Sequence, residues 1–165
     1  MKRRTLLGAT LRGVLAGSLI AGGLLTSPWP AHAEQHGTRE QAQAMVAKAI
    51  ALYDAKGIAA FEIMDQGAAS GFRQDDLYIF VIGAGPDSRV VAHGLDRGRI
   101  GEIVAALKDS DGKEYGKALL AGATAEGAWV DYNRVNPQSG KDEPKSSWVV
   151  LHDGYIFGCG VYIGQ

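Results

Sequence analysis

The sequence predicts an α+β domain built on one mainly antiparallel sheet of five strands, and three observations carry that prediction. Apolar residues recur at helical spacing near the start of the folded part. Further on, runs rich in β-branched and aromatic residues alternate with glycine-rich turns. The last three such runs are joined by short connections, and strands joined by hairpins must pair antiparallel. The chain has 165 residues, 46% apolar and 21% charged, which is ordinary globular material for one domain.

Taken in order, Thr38 and Gln41 have capping-box spacing, and Ala42, Met45, Ala49 and Tyr53 then recur every three or four residues until Gly57. This predicts a long helix over 38–56, with a short second helix over 58–66 after the glycine stop. Residues 67–76 are polar and glycine-rich and read as a loop. Residues 77–82 and 89–93 read as two strands of a hairpin around Gly83-Ala84-Gly85-Pro86-Asp87. Two helical pieces, 102–108 and 114–125, flank the turn Asp109-Ser110-Asp111-Gly112. Three strands close the chain: 128–135, 145–152 and 155–163. The turn-rich stretch 136–144 and the tight Asp153-Gly154 separate them.

The first 33 residues have a different composition. They hold Lys2, Arg3, Arg4 and Arg12 and no acid, then an apolar stretch from about Gly13 to Leu25, then Pro28, Pro30 and Ala31-His32-Ala33. A basic start, an apolar middle and a small-x-small end make a secretory signal, with cleavage expected after Ala33. Arg3-Arg4-Thr5-Leu6-Leu7 resembles a twin-arginine export motif, and a general secretory signal is the alternative. The apolar stretch falls short of the roughly 20 residues needed to span a bilayer, which makes an uncleaved anchor the weaker alternative. No Cys follows the cleavage site to carry a lipid, and no second run of spanning length occurs downstream. The expectation is therefore an exported, periplasmic domain over 34–165 with no transmembrane segment. Four of the 17 basic residues lie in the signal, which leaves 13 against 18 acids, a formal −5. That balance argues against nucleic acid as a partner. The lone Cys159 excludes an intrachain disulfide and a thiolate metal cluster.

Several local matches are decoys. Val81-Ile82-Gly83-Ala84-Gly85-Pro86 resembles the start of a dinucleotide fingerprint, but the residues after it read as a strand, where the pyrophosphate needs a helix N-terminus. A calcium loop starting at Asp109 would need a glutamate where Leu120 stands. His93, His152 and Cys159 are the candidate haem or metal ligands, read here as structural residues. Cys159, between Gly158 and Gly160, reads as a small buried thiol. No nucleophile elbow and no spaced His or carboxylate set suggests an enzyme.

The C-terminal third is the most informative. Gly127-Ala128-Trp129-Val130-Asp131-Tyr132, Asn136-Pro137, Lys145-Ser146-Ser147-Trp148-Val149 and Gly158-Cys159-Gly160-Val161-Tyr162 follow one another as the strands of single Cache sensor domains do. Tyr78 to Ile82 followed by Val90-Val91-Ala92-His93 resembles that family's first hairpin. Ile100-Gly101 and Asp111-Gly112 match the segment before its middle helix. Gly94 stands where family members commonly have proline. The resemblance implies a PAS-like sheet with the long N-terminal helix behind it, helices over the other face, and a small-molecule pocket between sheet and helices. It implies a sensing role without catalysis, for a small organic ligand such as a short carboxylate. No output module follows the last strand, so a membrane receptor, kinase or transporter is expected to read the signal.

A carboxylate site needs cations or donors with aromatic walls. Tyr78, His93, Tyr132, Lys145 and Trp148 supply that inventory and are the candidate ligand-binding residues, with no metal and no cofactor expected. Strand alternation puts Lys145 and Trp148 on opposite faces unless a bulge intervenes. Arg97 and Arg99 read as a solvated loop, and Tyr162 and Trp129 as structural. Two other readings stay open: an interaction module whose pocket is filled by its own side chains, and a PAS-like haem or flavin carrier.

Overall fold

The computed structural model describes residues 36–163, and the expected signal segment lies outside them. Helix α1 spans Arg39–Lys56. Its capping box is formed: Gln41 N–H donates to Thr38 Oγ1 and Thr38 N–H to Gln41 Oε1. Gly57, at φ 60°, ends it in the left-handed region where a side chain would be strained. Helix α2, Ala59–Met64, folds back beside it, and a 3₁₀ turn covers Gly67–Ser70.

Six strands follow where five were expected. The additional one, β1 (Arg73–Gln74), pairs only through its backbone with the start of β2 (Leu77–Gly83), across the turn at Asp75 and Asp76. Strand β3 (Val90–His93) forms the expected hairpin with β2, so the glycine-rich stretch after Ile82 is a turn between antiparallel strands with no helix after it. Strands β4 (Ala128–Val135), β5 (Asp142–His152) and β6 (Tyr155–Tyr162) complete the sheet. Its order is β3-β2-β6-β5-β4, every pair antiparallel, with β1 beside β3 on the outer edge of β2. Asp153 and Gly154, at φ 46° and 77°, form the two-residue turn between β5 and β6. Strand β5 begins three residues earlier than expected. Pro144 fits there because it ends the ladder with β6: its carbonyl accepts from Ile163 N–H at 2.8 Å, and only a terminal donor is missing.

The connection between β3 and β4 corrects two expectations. Residues 102–108 do not form an α-helix; only a 3₁₀ turn at Val104–Ala106 forms. Backbone pairing takes the rest of the segment: Arg89 bridges Ile103, Val90 N–H donates to Glu102 O, and Val104 N–H to Ser88 O. Helix α3 spans Tyr115–Gly122 and stops short of 125 because Thr124 bridges Val150 and accepts from Leu151 N–H. Asp109 closes its own turn by accepting from the backbone of Asp111, Lys113 and Asn133. Those three N–H groups, Asn133 first, hold its carboxyl below the usual range, and the calcium-loop echo is a tied turn.

Alternation along the strands divides the apolar residues into two cores. Ile79, Val81, Phe157, Cys159 and Val161 pack against Ala42, Met45, Val46 and Ala49 of α1. Phe80, Ile82, Val130, Tyr132, Val149 and Ile156 face Val104, Tyr115 and Leu119 on the other side. Cys159 belongs to the first core, its thiol 3.7 Å from Met45 Sδ, and burial pushes it up to about 12.

Candidate functional site

Between the second sheet face and its cover lies a pocket whose ends differ in chemistry. Phe80, Ile82, Val90, Val104, Leu107 and Leu119 form an apolar end. Tyr78, His93, Arg99, Tyr115, Tyr132 and Arg134 form a polar one, with no acidic residue lining either. The cavity measures about 30 Å³, room for one or two water molecules. The pocket floor depends on a glycine: a Cβ on Gly158 would stand 2.2 Å from Phe80 Cζ. Gly158 of the expected Gly-x-Gly run thus clears space for a lining side chain.

His93 is 4% exposed and lies tilted over Tyr78, ring centres 5.1 Å apart. Its Nδ1 accepts from the N–H of Asp96 at 3.0 Å and of Leu95 at 3.4 Å, which places the proton of the neutral ring on Nε2. Burial first, then the charges of Arg99 and Lys145, push it down to about 4, so at neutral pH it is an uncharged N–H donor. The main-chain N–H of His93 donates to Asp65 Oδ1 at 2.8 Å. Next to it, Gly94 N–H donates to Ile79 O at 2.8 Å, a bond proline cannot make. A Cβ at Gly94 would also meet Phe72 O at 2.6 Å.

Tyr132 stacks on Tyr115, centroids 4.6 Å apart, and its hydroxyl shares a 2.8 Å bond with Ser147 Oγ. Burial raises both phenols above their ordinary range, so both remain O–H groups. Behind them Lys145 is fully buried. Its ammonium sits 3.8 Å from the ring centre of Tyr78 and 4.5 Å from that of Tyr162, and donates a long 3.5 Å bond to the Tyr162 hydroxyl. Tyr162 in turn donates to Val135 O at 2.7 Å. Among the described residues no carboxylate oxygen comes within 4.0 Å of Lys145 Nζ. A buried cation held by two ring faces and one weak bond retains donor capacity for an anion.

Four of the five candidates thus converge: Tyr78, His93 and Tyr132 line the pocket, and Lys145 lies directly beneath Tyr78. Lys145 also borders a more open hollow of about 260 Å³ with Asp109, Asp131 and Asn133, for which Tyr132 is a shared wall. Trp148 is not among them. Strand β5 runs in unbroken register with both neighbours, so its parity holds and Trp148 faces α1, where it packs on Trp129 and over Gly127. Arg99, expected in a solvated loop, instead turns its side chain into the pocket, as does Arg134. Tyr115 was visible in the sequence only as a helix residue. His93, Cys159 and His152 are not brought together: Cys159 faces α1, and His152 Nε2 bonds Asp54 Oδ1 at 2.7 Å on that same side. Among the described residues no three His, Cys, Asp or Glu side chains cluster as metal ligands.

The family model described as single Cache domain 2 matches residues 33–165. Three solved structures are similar. A methyl-accepting chemotaxis protein from Vibrio parahaemolyticus RIMD 2210633 superposes with a TM-score of 0.60 at 20% identity, over 75% of this chain and 87% of that one. A periplasmic sensor domain of a chemotaxis protein gives 0.55 at 24%, over 76% and 90%. A Cache chemosensory domain solved for the structural basis of carboxylic acid recognition gives 0.53 at 21%, over 76% and 88%. No functionally curated protein matches.

Proposed function

The chain belongs to the single Cache domain 2 family, and from that premise we infer that it is an exported, periplasmic sensing domain for a short organic carboxylate. The observation that carries the ligand class is the charge of the site. Arg99 and Arg134 line a pocket with no acidic lining residue, and the buried Lys145 lies beneath its Tyr78 wall, so an anionic head finds cationic partners there. His93 Nε2 and the phenols add neutral donors, and the apolar end accepts a short tail. One of the similar structures, the Cache chemosensory domain, concerns carboxylic acid recognition, which supports the same class. The site as proposed consists of Tyr78, His93, Tyr132 and Lys145, with Arg99, Tyr115 and Arg134 in addition and Trp148 removed.

A carboxylate with a carbon tail exceeds a cavity of about 30 Å³, so binding shifts the cover formed by the 3₁₀ turns at Arg97–Arg99 and Val104–Ala106. A membrane receptor, kinase or transporter is proposed to read that shift. Among the described residues no helix is long and apolar enough to cross a membrane. No catalytic step is proposed.

The test is a thermal-shift titration of the purified protein with acetate, propionate, butyrate, succinate, alanine and methylamine, after recording its visible spectrum. The expected result is a saturable rise with monocarboxylates, about 2.7 kcal/mol of added stability at a hundredfold the dissociation constant. No rise is expected with methylamine, nor with any ligand in Lys145→Met. A response to methylamine, or none to any carboxylate, refutes the reading. The small cavity favours a second reading, an interaction module whose pocket its own side chains fill, and a flat screen with a colourless protein would support it. A Soret or flavin band would support a cofactor carrier instead.

A further inference from the structure

We propose that Glu102 is a resident competitor for the pocket, a built-in carboxylate that a ligand must displace from Arg99. This rests on the carboxylate reading above and adds how the site is regulated. Arg99 has a side chain only 12% exposed, and its Nε and Nη2 both donate to Glu102 Oε2, at 3.0 and 2.6 Å. That edge of the guanidinium is one of the two from which a carboxylate takes a pair of parallel hydrogen bonds. That edge is therefore already taken, and Nη2, which the other edge shares, also donates to the Tyr115 hydroxyl at 3.4 Å. Arg134 differs: its guanidinium faces the Tyr115 ring at 5.9 Å, and among the described residues it has no carboxylate within 4.0 Å.

The backbone around the clasp determines what can move. Glu102 is fixed by its main chain, since Val90 N–H donates to Glu102 O at 3.0 Å and Gly101 N–H donates to Val90 O at 2.8 Å. Arg89 Nη1 secures the same stretch by donating to Gly101 O at 2.7 Å. Only the Glu102 side chain is free to turn, and at 38% exposed it has water to turn into. The segment carrying Arg99 hangs at its other end from His93 Nδ1 through Asp96 N–H. Glu102 N–H also donates to Arg99 O at 3.1 Å, so the two main chains stay together and the side-chain clasp alone can open. Two carboxylates on one partly screened guanidinium repel, so the ligand either expels Glu102 or binds more weakly for its presence. In this arrangement Glu102 sets the concentration at which the site fills.

The test measures propionate binding by calorimetry on the wild type, Glu102→Gln, Glu102→Ala and Glu62→Gln, an exposed α2 residue that gives the same change in net charge. Both Glu102 variants are expected to bind propionate tighter by on the order of tenfold, while Glu62→Gln matches the wild type. Propionate binding detected only in the Glu102 variants, with another carboxylate bound by the wild type, supports the proposal equally. If the wild type binds propionate and the Glu102 variants bind it equally or more weakly, the clasp is overturned and the carboxylate reading stands. The clasp is likewise overturned if Glu62→Gln tightens binding as much. If no variant binds propionate the clasp is overturned, and the carboxylate reading falls with it when acetate, butyrate and succinate fail as well.

Discussion

Acidification should unfold this domain through His93. The ring is neutral in the folded state because burial and the charges of Arg99 and Lys145 push it down to about 4, against an ordinary value of 6.5. Protonation would also convert Nδ1, which accepts from the N–H of Asp96 and Leu95, into a donor and break both bonds. Above pH 6.5 neither state carries the proton and the domain keeps its full stability. Below it the unfolded chain takes up a proton that the folded one refuses, so stability falls with pH until the folded value is reached. At about 1.36 kcal/mol per pH unit, the loss is about 2 kcal/mol by pH 5 and about 3 kcal/mol by pH 4. Urea unfolding followed by tryptophan fluorescence reads it, as a midpoint lowered by about 1 M between pH 7 and pH 5. Other groups also titrate there, so the comparison is with His93→Gln, whose midpoint should fall less over the same interval by that amount. Equal pH slopes in the two proteins, or an NMR titration of His93 centred near 6.5, would refute the reasoning.

Other variants probe the packing. In Gly158→Ala the new Cβ would stand 2.2 Å from Phe80 Cζ and drive that ring into the cavity; thermal unfolding should show a loss of about 1–3 kcal/mol, with the carboxylate response abolished. Tyr132→Phe leaves Ser147 Oγ without its 2.8 Å partner in a buried position, costing about 1–2 kcal/mol. Adding Ser147→Ala should then cost less than the two single changes together, as denaturant curves of the double-mutant cycle would show. Trp148→Leu removes packing on Trp129 behind the sheet. Its unfolding midpoint should drop while its titration midpoint for propionate stays at the wild-type value.

Much of this architecture was legible because it depends on short-range chemistry. The capping box of α1, the Asp153-Gly154 turn and the alternation that separates Lys145 from Trp148 each follow from neighbours in the chain. The misplacements have tertiary causes. Residues 102–108 carry a helical apolar pattern, yet Ser88, Arg89 and Val90, at the entrance to β3, claim the backbone of 102–104 and leave one 3₁₀ turn. Strand β1 has no apolar pattern to read, since Arg73 and Gln74 are both exposed and pair through backbone alone. Arg99 looked solvated because its neighbour Glu102 reads as an ordinary surface partner, and nothing local reveals that the Tyr115 hydroxyl also meets its side chain. Trp148 fitted a pocket aromatic on composition, although parity alone already argued for the other face.

The sheet is a single layer with a separate core on each side. Substitutions that meet across a shared cavity couple, whereas those with no common partner add. Changes at Phe80, Val104 or Leu119 therefore leave the α1 contacts of Ile79 and Val161 nearly untouched. A lineage can thus refashion its recognition surface one residue at a time while the opposite half keeps the fold above its stability threshold. In this domain chemical novelty and structural maintenance are assigned to alternate residues of the same strands.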